Sequence, residues 1–319
     1  MRTNPPTPIR VVRQKPSHNL VYWEGGPTGR FFNCCMREID PLGRSVRRLI
    51  NNDIDKRVHH DLMVLSESEV VYLAHEIVTV DDTAAGGERE TRVLVDSLRR
   101  WDQRTNETEE LWNALTHLDL DKRVRWTGEL KNWLNANSIA LGPRGNYILS
   151  LSMRNEIISI APDLQSIEWR LRGLDSTYEF EEDSDRFYFQ HTAAELANGD
   201  ILLFDNGRDR PESEGGEYSR ALELTLNAYE LTAVKVWEYR HEPELFANSR
   251  SGAYRLANGN TLINVETNTE DPPRDPGGRG GRQSPLGGAA TQPFHTQRLP
   301  RVRGRHHPWR VARRPLTRA

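Results

Sequence analysis

Apolar residues in this chain fall in short runs that are broken by glycine, asparagine, aspartate and proline. The segments NLVYWEG, EVVYLAHEIVTV, TRVLVDSLRRWD, NYILSLS, EIISIAP, SIEWRLRG, DILLFDN, RALELTL, AVKVWEYR and NTLINVE are rich in β-branched and aromatic residues. Such runs, bounded by turn residues, predict strands. No long segment with a 3.6-residue period competes with them. The stretch SLRRWDQRTNETEELWNALTHLDL has some helical character, but RTNETEE has turn composition, so the stretch reads as strand, turn, strand. The pattern predicts an all-β protein.

Four pairs of these strands repeat. HHDLMVLSESEVVYL from His59, NANSIALGPRGNYILSLS from Asn135, QHTAAELANGDILLFDN from Gln190 and RSGAYRLANGNTLINVE from Arg250 align on Leu65, Leu141, Leu196 and Leu256. Each unit offers a strand, a turn of the Asn-Gly kind, a second strand, and an outer pair such as EIISIAPDLQSIEWRL. Four strands per irregular period is the signature of propeller blades with insertions. Together with the N-terminal strands, this predicts a six-bladed β-propeller over residues 1–270 with an incomplete closing blade.

In a propeller the first strand of each blade lines the central channel, so residues at its leading end converge on one rim. His59, His60, Asn135, His191 and Ser251 all lie five or six positions before their marker leucine. Polar groups converging on a mostly apolar lining suit a small-molecule site. His191 reads either as a ligand-binding imidazole or as a ring that holds a loop through a backbone carbonyl. One of the neighbours His59 and His60 must point away from the channel. His75 and His241 lie beyond the strand starts and read as surface or supporting residues. Arg220 opens a strand after the insertion GRDRPESEGGEYS, and reads either as a surface ion pair or as a bidentate clamp for an oxyanion.

Composition narrows the picture. The chain has 319 residues, 36% apolar and 28% charged, which a single all-β domain can accommodate. No stretch approaches the ~20 apolar residues of a membrane span. The N-terminus lacks the apolar core of an export signal, so the chain as written reads as cytoplasmic. Residues 271–319 carry eleven arginines, no lysine and two acidic residues, a charge of +9 that leaves −12 on the first 270 residues of a chain whose net charge is −3. That acidity argues against nucleic acid as a partner of the folded part. The tail is rich in Pro, Gly and Arg and is expected to be disordered; a reading-frame change, a linker or a basic arm would each produce it. Cys34 and Cys35 are adjacent, which in a strand puts them on opposite faces and predicts two separate structural thiols. The sequence shows no metal-ligand spacing and no cofactor signature, so neither a metal nor a cofactor is expected.

Several segments resemble one family. NWLNANSIAL, GNYILSLSMRNEIISI, WRLRG, FYFQHTAAELANGDILLFDNG, EYSRALELTL, VKVWEYRH and GAYRLANGNTLI occur in the order found in arylsulfotransferases, over roughly residues 20–268. VHHDLMVL is similar to an early motif of the same family, many of whose members are exported. The resemblance implies a propeller enzyme that moves a sulfuryl group from a phenolic sulfate ester to a phenol through a histidine. It implies that His191 and Arg220 contact the sulfuryl group, with Asn135 standing where the family has a histidine that helps bind sulfate. The family's nucleophile, a last-blade histidine, falls in the Arg-rich tail, where His295 is the nearby candidate, in unlike surroundings. Little or no turnover is therefore expected of this chain. The alternative from another class is a non-catalytic propeller that binds an anion or a protein partner in its funnel. A quinone-dependent dehydrogenase or a metal-dependent lactonase would need stacked tryptophans or an acidic metal cluster, which the sequence does not display.

Overall fold

The computed structural model describes residues 9–25, 33–50, 56–85, 87–120, 130–266 and 309–312. Among these, the α-helix is the four-residue α1, Ala114–His117, and strands make up most of the rest. The first antiparallel meander is β1 (Ile9–Gln14), β2 (Leu20–Gly25), β3 (Asn33–Ile39) and β4 (Ser45–Ile50). The second is β5 (Lys56–Val64), β6 (Glu69–Val80), β7 (Thr91–Asp102) and β8 (Glu107–Asn113), with β9 (Lys131–Asn132) parallel to β7. A pairing of Asn33 with Val58 links these two. The third is β10 (Ala136–Leu141), β11 (Tyr147–Leu151), β12 (Glu156–Ile160) and β13 (Ile167–Arg172). Then β14 (Glu179–Phe180) lies parallel to the outer strand of the fourth meander: β15 (His191–Glu195), β16 (Ile201–Asp205), β17 (Arg220–Asn227) and β18 (Thr232–Tyr239). The fifth holds β19 (Gly252–Arg255), β20 (Thr261–Asn264) and β21 (Trp309–Ala312).

The all-β expectation holds, including the hairpin from β7 to β8 around Asn106, whose φ is 61°. The tail was expected to lack order; four of its residues form β21 on β20, and the rest of residues 271–319 lies outside the described residues.

The second, third and fourth meanders each pack between two others, which explains the unbroken apolar runs. On β6, Val70, Tyr72 and Ala74 pack toward the first meander with Val21, Trp23 and Met36, whereas Val71 and Leu73 pack toward the third with Ile139 and Leu149. On β16, Ile201 and Leu203 face the third meander while Leu202 and Phe204 face Ala253 and Ile263 of the fifth. Alternate residues therefore fill alternate interfaces, and both faces need apolar side chains. Each fully buried Leu, Ile or Phe contributes roughly 1.5–3 kcal/mol.

The repeated turns close in one way. Leu65 N–H donates to Glu69 O, Leu196 to Asp200 O and Leu256 to Asn260 O, with Gly199 and Gly259 at φ 87° and 82°. In the third meander the equivalent donor is Gly142, one residue after Leu141. Counted from this anchor, the residues five positions earlier are His60, Asn137, His191 and Ser251.

The next position carries a second repeat, in which a side-chain oxygen accepts a backbone N–H from the inner strand of the following sheet. Asp61 Oδ2 accepts from Ile139 at 3.1 Å, Ser138 Oγ from Ala193 at 3.2 Å and Thr192 Oγ1 from Ala253 at 3.0 Å. These contacts chain β5, β10, β15 and β19 side by side, and Arg13 of β1 joins through Asp61 at 2.5 Å. Successive meanders with neighbouring inner strands are consistent with a propeller-like fold.

One local expectation fails. Cys35 is buried and disulfide-bonded, so it is not the free structural thiol expected. Glu24 pairs with Cys35 and Gly25 with Asn33, so Cys34 is an extra residue in a β-bulge. A bulge breaks the two-residue alternation that would hold adjacent side chains on opposite faces.

Candidate active site

The inner strands β5, β10, β15 and β19 are irregular at or just before their leading ends. The ladder shifts register between Val58 and Leu62, between Ala136 and Ser138, and between His191 and Ala194. At the same ends His60, Asn135, Phe189, Thr192, Arg250 and Ser251 all adopt positive φ, from 45° to 71°. Left-handed backbone at non-glycine residues costs about 1–3 kcal/mol each and clusters where a structure holds a functional geometry. The rim nominated by the repeat is therefore also where the backbone is strained.

His191 is held in one tautomer. Its Nδ1–H donates to Asn206 Oδ1 at 2.7 Å, because Asn206 uses its own Nδ2 on the carbonyls of Ala247 and Arg250. Its Nε2 accepts the Arg250 N–H at 3.2 Å. Burial holds the ring down at about 4, so it is neutral at pH 7. His60 is likewise held well below its ordinary value, by burial and then by the nearby rings of His59, His75 and His191. His60 Nδ1 lies 2.8 Å from His59 Nδ1. The structure thus brings His59, His60 and His191 into one neighbourhood.

Asn137, the structural equivalent of His191, belongs there too. Its Nδ2 donates to Gln190 O at 2.7 Å, beside His191. Asn135, predicted in its place, bonds within its own sheet: Nδ2 donates to Ser152 Oγ at 2.7 Å, and Oδ1 accepts from Asn132 at 3.1 Å. The off-by-one anchor at Leu141 explains the difference.

Arg220 does not join the rim group, and its donors serve the fold. Nε donates to Asp205 at 2.9 Å, Nη1 to Glu238 at 3.0 Å, and Nη2 to the carbonyls of Ser184 and Arg186, both at 3.0 Å. The residue is 2% exposed. The cleft it lines with Phe204, Ser219 and Tyr239 offers about 10 Å³, room for at most a water. The geometry therefore corrects both sequence readings, oxyanion clamp and surface pair, to a buried structural arginine.

Residues beyond the strand starts were missed, and antiparallel pairing explains why. The strand after each inner strand runs back to the same rim, so its exit matters as much as the first strand's start. His191 pairs with Phe204, and the turn after β16 brings back Arg208, whose guanidinium stacks 4.7 Å over the Phe189 ring. Arg208 and Arg250 are half-exposed, and Arg250 pairs with Glu266. His75, read as a surface or supporting residue, is 5% exposed and pairs directly across from Asp96. Burial works against ionising Asp96, yet the facing His75 and His59 hold its carboxyl well below the usual range.

Neutral imidazoles together with half-exposed guanidinium groups are the kind of set that can receive a monoanion and the charge that develops on its oxygens during group transfer. Arylsulfate sulfotransferase AssT of Escherichia coli O6:H1 is 27% identical over 148 residues, a match covering 36% of this chain and 24% of the relative. The chain thus spans about a quarter of the length of the curated relative it matches. Among solved structures, a Bacteroides caccae protein of unknown function is 12% identical with TM-score 0.46, over 81% of this chain and 71% of that one. Oligogalacturonate lyase in complex with manganese is 10% identical with TM-score 0.45, over 82% and 59%. Virginiamycin B lyase from Staphylococcus aureus is 11% identical with TM-score 0.42, over 81% and 77%. The arylsulfotransferase (ASST) family pattern matches residues 12–276, most of the chain and every strand that contributes to the rim, and the chain belongs to the arylsulfotransferase family.

Proposed function

We propose that this chain binds phenolic sulfate esters at the rim of its inner strands and takes part in sulfuryl transfer to a phenol through a histidine, on a six-bladed propeller. The observation that carries the reading is the pair His60 and His191, both neutral at pH 7 and close enough for one ring to depress the other, in a chain of this family. Transfer needs a histidine nitrogen to attack sulfur while the bond to the phenolate oxygen breaks. An acceptor phenol then displaces the histidine and loses its proton. His60 suits contact with the sulfuryl oxygens, His191 anchors the Arg250 backbone beside them, and Arg208 and Arg250 supply the cationic charge that Arg220 does not. The nucleophile implied by the family resemblance falls after residue 270, outside the described residues.

Binding without turnover is a second reading, favoured by one observation: both ring nitrogens of His191 are already engaged. Calorimetric titration of the full chain with 4-nitrophenyl sulfate, run beside nitrophenolate release with and without a phenol acceptor, separates the two. Saturable binding that weakens about 10-fold in His191→Ala is expected, since the change releases the Arg250 backbone from its anchor and a hydrogen bond from such an arginine to a charged group contributes roughly 1.5–3 kcal/mol. Slow release would favour the second reading. Rapid acceptor-dependent release would place the nucleophile in this chain, and no saturable binding would overturn both readings.

A further inference from the structure

Behind the rim lies a cluster that the sulfuryl chemistry leaves unused. His59, His75 and Asp96 are 1%, 5% and 0% exposed. The rings of His59 and His75 stack 3.4 Å apart, within 11° of parallel. Both aim Nε2 at the same carboxylate oxygen, Asp96 Oδ1, at 3.2 Å for His59 and 3.0 Å for His75.

Hydrogen-bond geometry at His59 and Asp96 is poor. His59 Nε2 and both oxygens of Asp96 are buried without a hydrogen bond of acceptable geometry, and a buried polar atom left so costs about 1–3 kcal/mol. Two imidazole nitrogens and one carboxylate oxygen, all within 4.8 Å of one another, form instead a convergent set of three ligands. At metal–ligand distances of about 2.0–2.1 Å, neighbouring ligand atoms of a tetrahedron stand roughly 3.3 Å apart, close to the spacings found here. We propose that His59, His75 and Asp96 bind one divalent transition-metal ion of the zinc class. Two imidazoles and a single carboxylate are too nitrogen-rich for calcium or magnesium, which take oxygen ligands.

The neighbouring residue supports the assignment. A metal-bound histidine donates its other ring N–H to a partner that fixes its orientation, and His59 Nδ1 lies 2.8 Å from His60 Nδ1. With Nε2 on the metal, His59 Nδ1–H donates to His60 Nδ1, and the proton of neutral His60 sits on Nε2. Without the metal, His59 can turn its proton toward Asp96 and accept from His60, leaving His60 Nε2 bare. The ion would thus decide whether His60 offers a donor to an oxyanion. That consequence rests on the proposed function; the metal site does not.

The test uses the full chain, stripped with a chelator and never passed over a metal-affinity column, then titrated with cobalt(II) and with zinc. One ion per chain is expected, with the intense visible absorption of tetrahedral cobalt, bleached by zinc. His75→Gln and Asp96→Asn should weaken binding at least about 100-fold. His75→Cys, which substitutes another zinc ligand, should keep the site and add sulfur-to-cobalt charge transfer; it guards against variants that merely misfold. His191→Gln should bind cobalt like the parent while losing aryl sulfate affinity, which separates failure of this site from failure of the sulfate reading. Substoichiometric cobalt at saturating ion, or unchanged affinity in folded His75→Gln and Asp96→Asn, would overturn the proposal.

Discussion

Replacing Arg220 by alanine separates a ligand clamp from a structural arginine. The change removes four hydrogen bonds, two of them to carboxylates, from a site that is 2% exposed. Breaking a buried ion pair by deleting one partner costs roughly 3–5 kcal/mol. The lower end applies, because the partners retain other donors. Asp205 keeps Arg210 and the N–H groups of Tyr188 and Gly207, Arg186 O keeps Arg210 Nη1, and Glu238 keeps Lys235. At about 2 °C per kcal/mol for a domain of this size, Tm should fall by roughly 6 °C. Differential scanning calorimetry reads that shift, and 4-nitrophenyl sulfate binding, measured well below the transition, should change less than about 3-fold. A Tm within about 1 °C of the parent, together with a 10-fold or larger loss of aryl sulfate affinity, would refute the structural assignment and restore the clamp.

Gly207 sits at φ 71°, and a Cβ there would lie 1.7 Å from Tyr218 O. Gly207→Ala should therefore fail to accumulate as folded protein or melt far below the parent, as circular dichroism will read. Ser138→Ala removes the acceptor for the buried Ala193 N–H, at about 1–3 kcal/mol, so urea unfolding should show a lower midpoint with an unchanged slope. His191, folded at about 4 against an ordinary 6.5, stays neutral while the unfolded chain takes up a proton. Its contribution is therefore fully present above pH 6.5 and is lost as pH falls toward 4, at up to about 1.4 kcal/mol per pH unit. His191→Gln should flatten the fall of Tm with acidity across that window.

How far the sequence reached depended on the range of the contacts involved. The strands were legible because burial of both faces, as on β6 and β16, turns whole segments apolar. The Asn-Gly turns were legible because Gly199 and Gly259 need positive φ. His60 and His191 were legible through the spacing of the repeat. Asn137 was displaced because leucine fills the anchor in three units and Gly142 fills it in the third meander. Asp96 and Arg208 were missed, and His75 was read only as a surface or supporting residue, because they come from second and third strands or the turn that follows one, and only the pairing register brings those toward the inner-strand ends. Arg220 was misread for the same reason: its partner Asp205 lies directly opposite across β16 and β17, a contact that a separation of fifteen positions conceals.

Aryl sulfates are proposed to dock at the leading ends of the inner strands. The most direct measurement is an anomalous diffraction map of crystals soaked in 4-bromophenyl sulfate, in which the bromine marks the ring and fixes the sulfate beside it. The sulfate is expected within reach of His60 or His191, with Arg208 or Arg250 against its oxygens. A bromine peak elsewhere on the molecule, with this rim empty at concentrations that saturate binding in solution, would contradict it.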